Sequence, residues 1–255
     1  MSIFKSGNPT LSENKFRSTQ LPTDITDLNA MTRQGTLQKF GFMLLLLMGS
    51  ALFSWKEFNE SAGTSNLLMP MILVGAIGGL VIALILMFKQ TWAPYLAPVY
   101  ALLEGLFIGA ISAQYDYVFP GLVANAVGLT FGVGIAMYLL YQFGIIKATE
   151  RFKSIVITAT AGLAIFYLAV WILGMFGVNQ LHFIHEGGTF GILFSVFVVA
   201  IATLNLILDF DMIDQGVSMG APKYMEWYGA FGLMVTFVWL YLEILRLLSK
   251  LNSRD

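Results

Sequence analysis

Seven long apolar runs divide the chain, each separated from the next by a short polar stretch. They are Leu37–Trp55, Leu67–Phe88, Tyr95–Ala113, Phe119–Phe143, Ser154–Gly177, Gly188–Phe210 and Trp227–Leu248. A helix needs roughly 20 apolar residues to cross a bilayer, so each run is long enough for one crossing. The stretches between them, among them NESAGTSN, KQTWAP, KATERFK and DQGVSMGAPK, carry turn chemistry. The pattern predicts an all-α integral membrane protein with seven transmembrane helices. Residues 1–35 are expected to form a flexible cytoplasmic tail and residues 36–255 the membrane domain. The short loops leave no room for a soluble catalytic domain.

Composition strengthens this picture. Of the 255 residues, 57% are hydrophobic and 11% charged, against about a quarter charged in soluble domains. The net charge of −1 provides no basic field for nucleic acid. The absence of cysteine excludes disulfides, thiol catalysis and cysteine metal sites. The first long apolar run starts near Phe40, too far from Met1 for the core of a secretory signal.

Lys and Arg accumulate on the cytoplasmic side of membrane proteins. With the amino terminus inside, the inner segments hold Lys5, Lys15, Arg17, Arg33, Lys39, Lys89, Lys147, Arg151, Lys153 and Lys223, and the outer loops only Lys56. The basic carboxyl terminus (Arg246, Lys250, Arg254) runs against this rule. The seventh span either crosses regardless of its charges or is re-entrant, and crossing is the favoured reading. The glycine pairs Gly75/Gly79, Gly105/Gly109 and Gly128/Gly132 are each four apart, a spacing that lets helices approach closely in lipid. Trp92, Tyr95, Tyr100, Trp171, Trp227 and Tyr228 read mostly as interfacial anchors.

Against this apolar background the few acids stand out. Glu104 lies near the middle of span three, Asp209 and Asp211 at the inner end of span six, and Glu243 in the outer part of span seven. Ionisable residues at such depth face a cavity or a partner and mark ion or proton paths. Asp209 and Asp211 are about 200° apart around a helix, whereas Asn205 and Asp209 share a face. Asp209 is therefore the better candidate for the interior, and Asp211 and Asp214 read as a polar helix terminus. Glu243 can pair with Arg246 three residues on. Thr236, two turns earlier on the same face, suggests a polar stripe. Glu104 has no cation within a turn of its own helix, so its partner is expected on another helix, in water, or in its own proton. His182, His185 and Glu186 lie in an outer loop and make a poor metal site.

The segment LILDFDMIDQGVSMGAPKYMEWYGAFGLMVTFVWLYLEILRLLSKL closely resembles the C-terminal signature of bacterial Bax inhibitor-1-like membrane proteins. NPTLSENKF, MTRQGTLQKFGFMLLLL and APVYALLEGLFIGAIS resemble the same subfamily, so the likeness covers nearly the whole chain. The resemblance implies two three-helix layers around a central C-terminal seventh helix. It also implies a pH-sensitive calcium leak in which aspartates on helices six and seven act as a latch. Asp209 matches the first aspartate. Aligning WLYLEILRLL on the family pattern puts Thr236, not an acid, at the second latch position, with Glu243 seven residues later. Asp211 then either replaces the missing acid or the pair is absent.

Two functions follow as expectations. The leading one is a passive leak for calcium or another cation through the plasma membrane, gated by protonation of a buried carboxylate. Calcium would be the transported ion, not a cofactor, and hard oxygen ligands suit it. The alternative is a non-conducting regulator of a membrane-bound protease or stress response, docking through the amino-terminal tail. An enzyme is not expected: the chain has neither GxGD nor GxSG. A retinal protein needs a lysine well within the last span, and Lys250 reads as lying past its end.

Overall fold

The computed structural model describes residues 30–61, 66–176 and 188–253. They form seven long helices: α1 (Arg33–Glu60), α2 (Leu68–Phe88), α3 (Ala93–Val118), α4 (Leu122–Gln142), α5 (Glu150–Met175), α6 (Thr189–Ser218) and α7 (Met225–Asn252). All seven are long and apolar enough to cross a membrane. Among the described residues there is no strand, only an isolated antiparallel bridge between Ala30 and Pro222. The chain is thus an all-α membrane protein with seven candidate spans. The tail before residue 30 and the loop carrying His182, His185 and Glu186 lie outside the described residues.

Local chemistry sets the helix ends. Thr32 caps α1, its hydroxyl accepting from Gly35 N at 3.0 Å, and Thr149 caps α5 by accepting from Phe152 N at 3.3 Å. A side-chain cap satisfies one of the four orphan amides of a helix start. Pro94 lies in the first turn of α3, where no intrahelical donor is needed. Gly121 and Gly220, at φ +83° and +66°, make the turns into α4 and after α6 in a conformation that a Cβ disfavours.

Several boundaries differ from the hydrophobicity pattern, most of all the end of α6, which runs to Ser218, eight residues past Phe210. The cap at Thr32 starts α1 four residues before Leu37. At the other end α7 runs unbroken to Asn252, so Lys250, expected past the last span, is on the helix and buried. A polar residue extends a helix when a tertiary partner satisfies it, and hydropathy does not see such partners. Tyr100 and Tyr228, read as interfacial anchors, are also buried.

The described residues fall into two compact units, through both of which α6 and α7 run. One unit comprises residues 30–123 and 211–235. In it α3 receives α1 and α2 on glycine. A Cβ on Gly109 would lie 2.6 Å from Ala51 Cα, and one on Gly75 2.6 Å from Leu103 O. Tyr100 packs edge-on against Phe231, with ring centroids 4.9 Å apart. The other unit comprises residues 124–210 and 236–253. There Phe237 sits against Gly134 and Phe131, and Phe210 against Tyr138 and Tyr141. The glycine reading needs one correction: Cβ atoms on Gly128 and Gly132 would meet nothing within 4 Å, and Gly134 is the close-contact glycine of α4.

This contrast yields a prediction. Gly109→Val forces α1 away from α3 and should destabilise the protein by about 1–3 kcal/mol. Gly132→Val enters open space and should stay within about 0.5 kcal/mol. Thermal unfolding in detergent, followed by tryptophan fluorescence, measures both, and equal losses would contradict the assigned contacts.

Candidate functional site

Asn205, Asp209, Thr236, Glu243 and Arg246, singled out in the sequence, lie in the unit of residues 124–210 and 236–253 on α6 and α7, and Thr160 and Tyr167 of α5, which were not singled out, stand beside them. Lys250 of α7 meets Ser195 and Gly191 of α6, while Trp239 packs against the cluster of Val198 and Ile201. Rising numbers on α7 therefore meet falling numbers on α6, and the two helices are antiparallel. Stepping fourteen residues from Lys250 back to Thr236, and fourteen from Ser195 on to Asp209, covers about 21 Å on each helix. By this register Thr236 is level with Asp209. On α5, Tyr167 meets Glu243, and Leu163 packs in the cluster that Trp239 joins. Helices α5 and α7 are thus parallel, and Thr160 is level with Thr236.

The result is a set of polar layers stacked along α7, about 10 Å apart. The first holds Thr160, Asn205, Asp209 and Thr236. Asn205 Nδ2 donates to Thr160 Oγ1 at 2.8 Å and to Ile201 O at 2.9 Å. Asp209 is fully buried, and Thr236 is 3% exposed. The second holds Glu243, Arg246 and Tyr167. Arg246 Nη1 donates to both Glu243 oxygens, at 2.8 and 3.0 Å, and the Tyr167 hydroxyl donates to Glu243 Oε1 at 3.5 Å. The third holds Lys250, whose Nζ donates to Ser195 Oγ at 2.8 Å and Gly191 O at 3.1 Å. Leu163 and Trp239 lie between the first and second layers and pack with Val198 and Ile201, which stand level with the second layer and beyond it. The two layers of acids thus share one apolar cluster on their flank.

The other acids have different surroundings, in the unit of residues 30–123 and 211–235. Asp211 Oδ2 accepts from Gln215 Nε2 at 2.5 Å, one turn on along α6. Glu104 is hydrogen-bonded to Tyr100, one turn earlier on its own helix. The sequence reading looked only for a cation on that helix and so overlooked the phenol. Glu104 Oε1 lies against Gly79 of α2, 2.7 Å from where a Cβ would be.

Glu226, which sequence reasoning missed, is the most heavily bonded acid of that unit. It is fully buried. Its Oε1 accepts from Thr32 N at 2.9 Å and Thr32 Oγ1 at 2.8 Å, its Oε2 pairs with Lys39, and Lys223 stands 4.0 Å away. Beside it Arg33 makes a bidentate pair with Asp214 at 2.6 and 2.5 Å, and Met31 N donates to Ala221 O at 2.6 Å. Residues 30–33 are thereby tied to the α6–α7 turn. Gly35 leaves room for the carboxylate, which would clash with any Cβ there. The only sequence signal was a lone acid in the apolar start of the last span, with lysine three residues before it.

Among the described residues no three His, Cys, Asp or Glu side chains cluster as metal ligands. Comparison with curated proteins finds no match. A family model described as Bax inhibitor 1 like matches residues 8–253, almost the whole chain, and the protein belongs to that family of multi-pass membrane proteins.

Proposed function

We propose that the protein is a cation leak pathway, with calcium as the ion, switched by a proton on Asp209. The observation that carries this reading is the full burial of Asp209 on α6, at the level of Thr160, Asn205 and Thr236. Burial disfavours the charged form of a carboxylate, so a proton exchanged there changes the charge of the layer. Next to this layer Leu163 and Trp239 pack with Val198 and Ile201, an apolar cluster that would form a constriction of the kind that gates by dewetting. Ionisation of Asp209 favours water beside that constriction, and protonation favours its staying dry. Membership of the family is consistent with this class, and Thr236 in place of a second acid makes the switch a single proton. Glu104, bonded to Tyr100, serves as a structural polar contact, and Asp211 acts through Gln215.

The bias of Lys and Arg supports an amino terminus in the cytoplasm, and the plasma membrane is the membrane we propose for it. On this cysteine-free chain, Ser2→Cys should be labelled by a membrane-impermeant maleimide only after the cells are opened. Labelling in intact cells would reverse the orientation.

The competing reading, a regulator that conducts nothing and acts on a membrane-bound protease, draws support from the ties of residues 30–33 to Glu226 and Asp214. Through them a partner holding the tail could act on α7. Calcium entry into liposomes carrying the purified protein separates the two readings. Entry above that of protein-free liposomes supports the leak, and none at any pH supports the regulator.

A further inference from the structure

We propose that Glu243 is a second cation-binding carboxylate on the leak pathway and that Arg246 is its built-in blocking cation. The inference rests on the leak reading and adds a site that the two-aspartate latch does not contain. Arg246 Nη1 contacts both Glu243 oxygens, so the guanidinium occupies the place a permeating cation would take. The Glu243 side chain is 4% exposed and that of Arg246 35%. The cation thus covers the open side of a buried acid.

The pair is made within one helix, at i and i+3. It can part by rotation of the arginine side chain alone, with no movement of the backbone. Tyr167 OH stays beside Glu243 as an oxygen ligand, and it also accepts from Arg246 Nη1 at 3.4 Å. Lys250, one turn beyond Arg246 and buried, adds a second basic side chain at this end of the path. A cation must displace Arg246 and pass Lys250, so this end is electrostatically closed while the pair holds. Seven residues separate Glu243 from Thr236 and seven separate it from Lys250. One stripe of α7 therefore presents, in order, a hydroxyl, an acid and a base.

A merely structural ion pair has a different consequence. Removing one partner of a buried pair leaves an uncompensated charge and loosens the fold, while removing both is far milder. The experiment is calcium entry into liposomes loaded with a fluorescent calcium indicator. It compares wild type, Arg246→Gln, the double variant Glu243→Gln/Arg246→Gln, Lys250→Gln and Asp209→Asn, each first checked for a monodisperse peak in detergent. Removing a tethered competitor worth 1–3 kcal/mol of coupling should raise entry in Arg246→Gln by roughly 5–150-fold. The double variant, with no anionic site to expose, should fall back to the wild-type rate or below. Lys250→Gln should raise entry as well, and it decides the matter if Arg246→Gln does not fold. Arg246→Gln equal to wild type, or a double variant that leaks as fast as Arg246→Gln, would overturn the proposal. So would a folded Lys250→Gln with the wild-type rate where Arg246→Gln is lost. If Asp209→Asn alters entry and these variants do not, only this inference falls. If neither wild type nor any variant admits calcium, the leak reading falls with it.

Discussion

Replacing Glu226 by alanine is expected to cost about 3 kcal/mol of stability, the lower end of the range for breaking a buried ion pair by removing one partner. The lower end applies because Lys39 keeps some contact with solvent, at 20% side-chain exposure. The loss has several sources. Thr32 N and Thr32 Oγ1 lose their shared acceptor, and Lys39 is left beside a cavity and the Trp227 ring, 5.5 Å from its centroid. Residues 30–33 would then lean on the Arg33–Asp214 pair, the backbone bridge and the packing of the buried Met31. Glu226→Gln should lose less, because an amide oxygen can still accept from Thr32. The Lys56–Glu60 pair is a suitable control: its side chains are 72% and 65% exposed, and Lys56→Ala should cost less than about 1 kcal/mol. Thermal unfolding in detergent orders the three variants. A Glu226→Ala protein as stable as Lys56→Ala would show that the buried cluster contributes nothing to the fold.

Thr236→Asp should produce the largest change in pH response. It places a second carboxyl at the level of Asp209, where two facing acids cannot both ionise freely and share protons in coupled steps. The wild type has a neutral hydroxyl there, so its flux should follow a single proton. The variant should show two steps, or one shifted step, in flux against pH. An unchanged curve would mean that residue 236 does not face Asp209, and the register derived from Lys250 and Ser195 would be wrong.

Much of this fold was readable in the sequence because a bilayer crossing demands a long apolar run, and seven such runs exist. The ends were harder to place. Thr32 and Lys250 belong to helices because Gly35 N, Ser195 Oγ and Gly191 O satisfy them, and hydropathy does not register those partners. Glycine spacing named three pairs, yet spacing does not say which face meets a neighbour: Gly105 and Gly109 do, and Gly128 and Gly132 do not. The Glu243–Arg246 pair was legible because it is local to one helix. Glu226 was not, because Thr32 and Lys39 are 194 and 187 residues away in sequence. The polar layers lie between these cases. Asn205, Asp209, Thr236, Glu243 and Arg246 stood out in the sequence, whereas Thr160, Tyr167 and Ser195 did not, and the levels of all of them depend on helix direction and register, which come from packing.

The leak reading stands or falls on Asp209. The most direct measurement is calcium flux into liposomes at several pH values for the wild type and Asp209→Asn, reconstituted at equal density. The account predicts a wild-type flux that changes with pH along a single-proton curve, and an Asp209→Asn flux held at one level across the same range. A variant that keeps the wild-type pH curve would remove Asp209 from the mechanism and contradict the account.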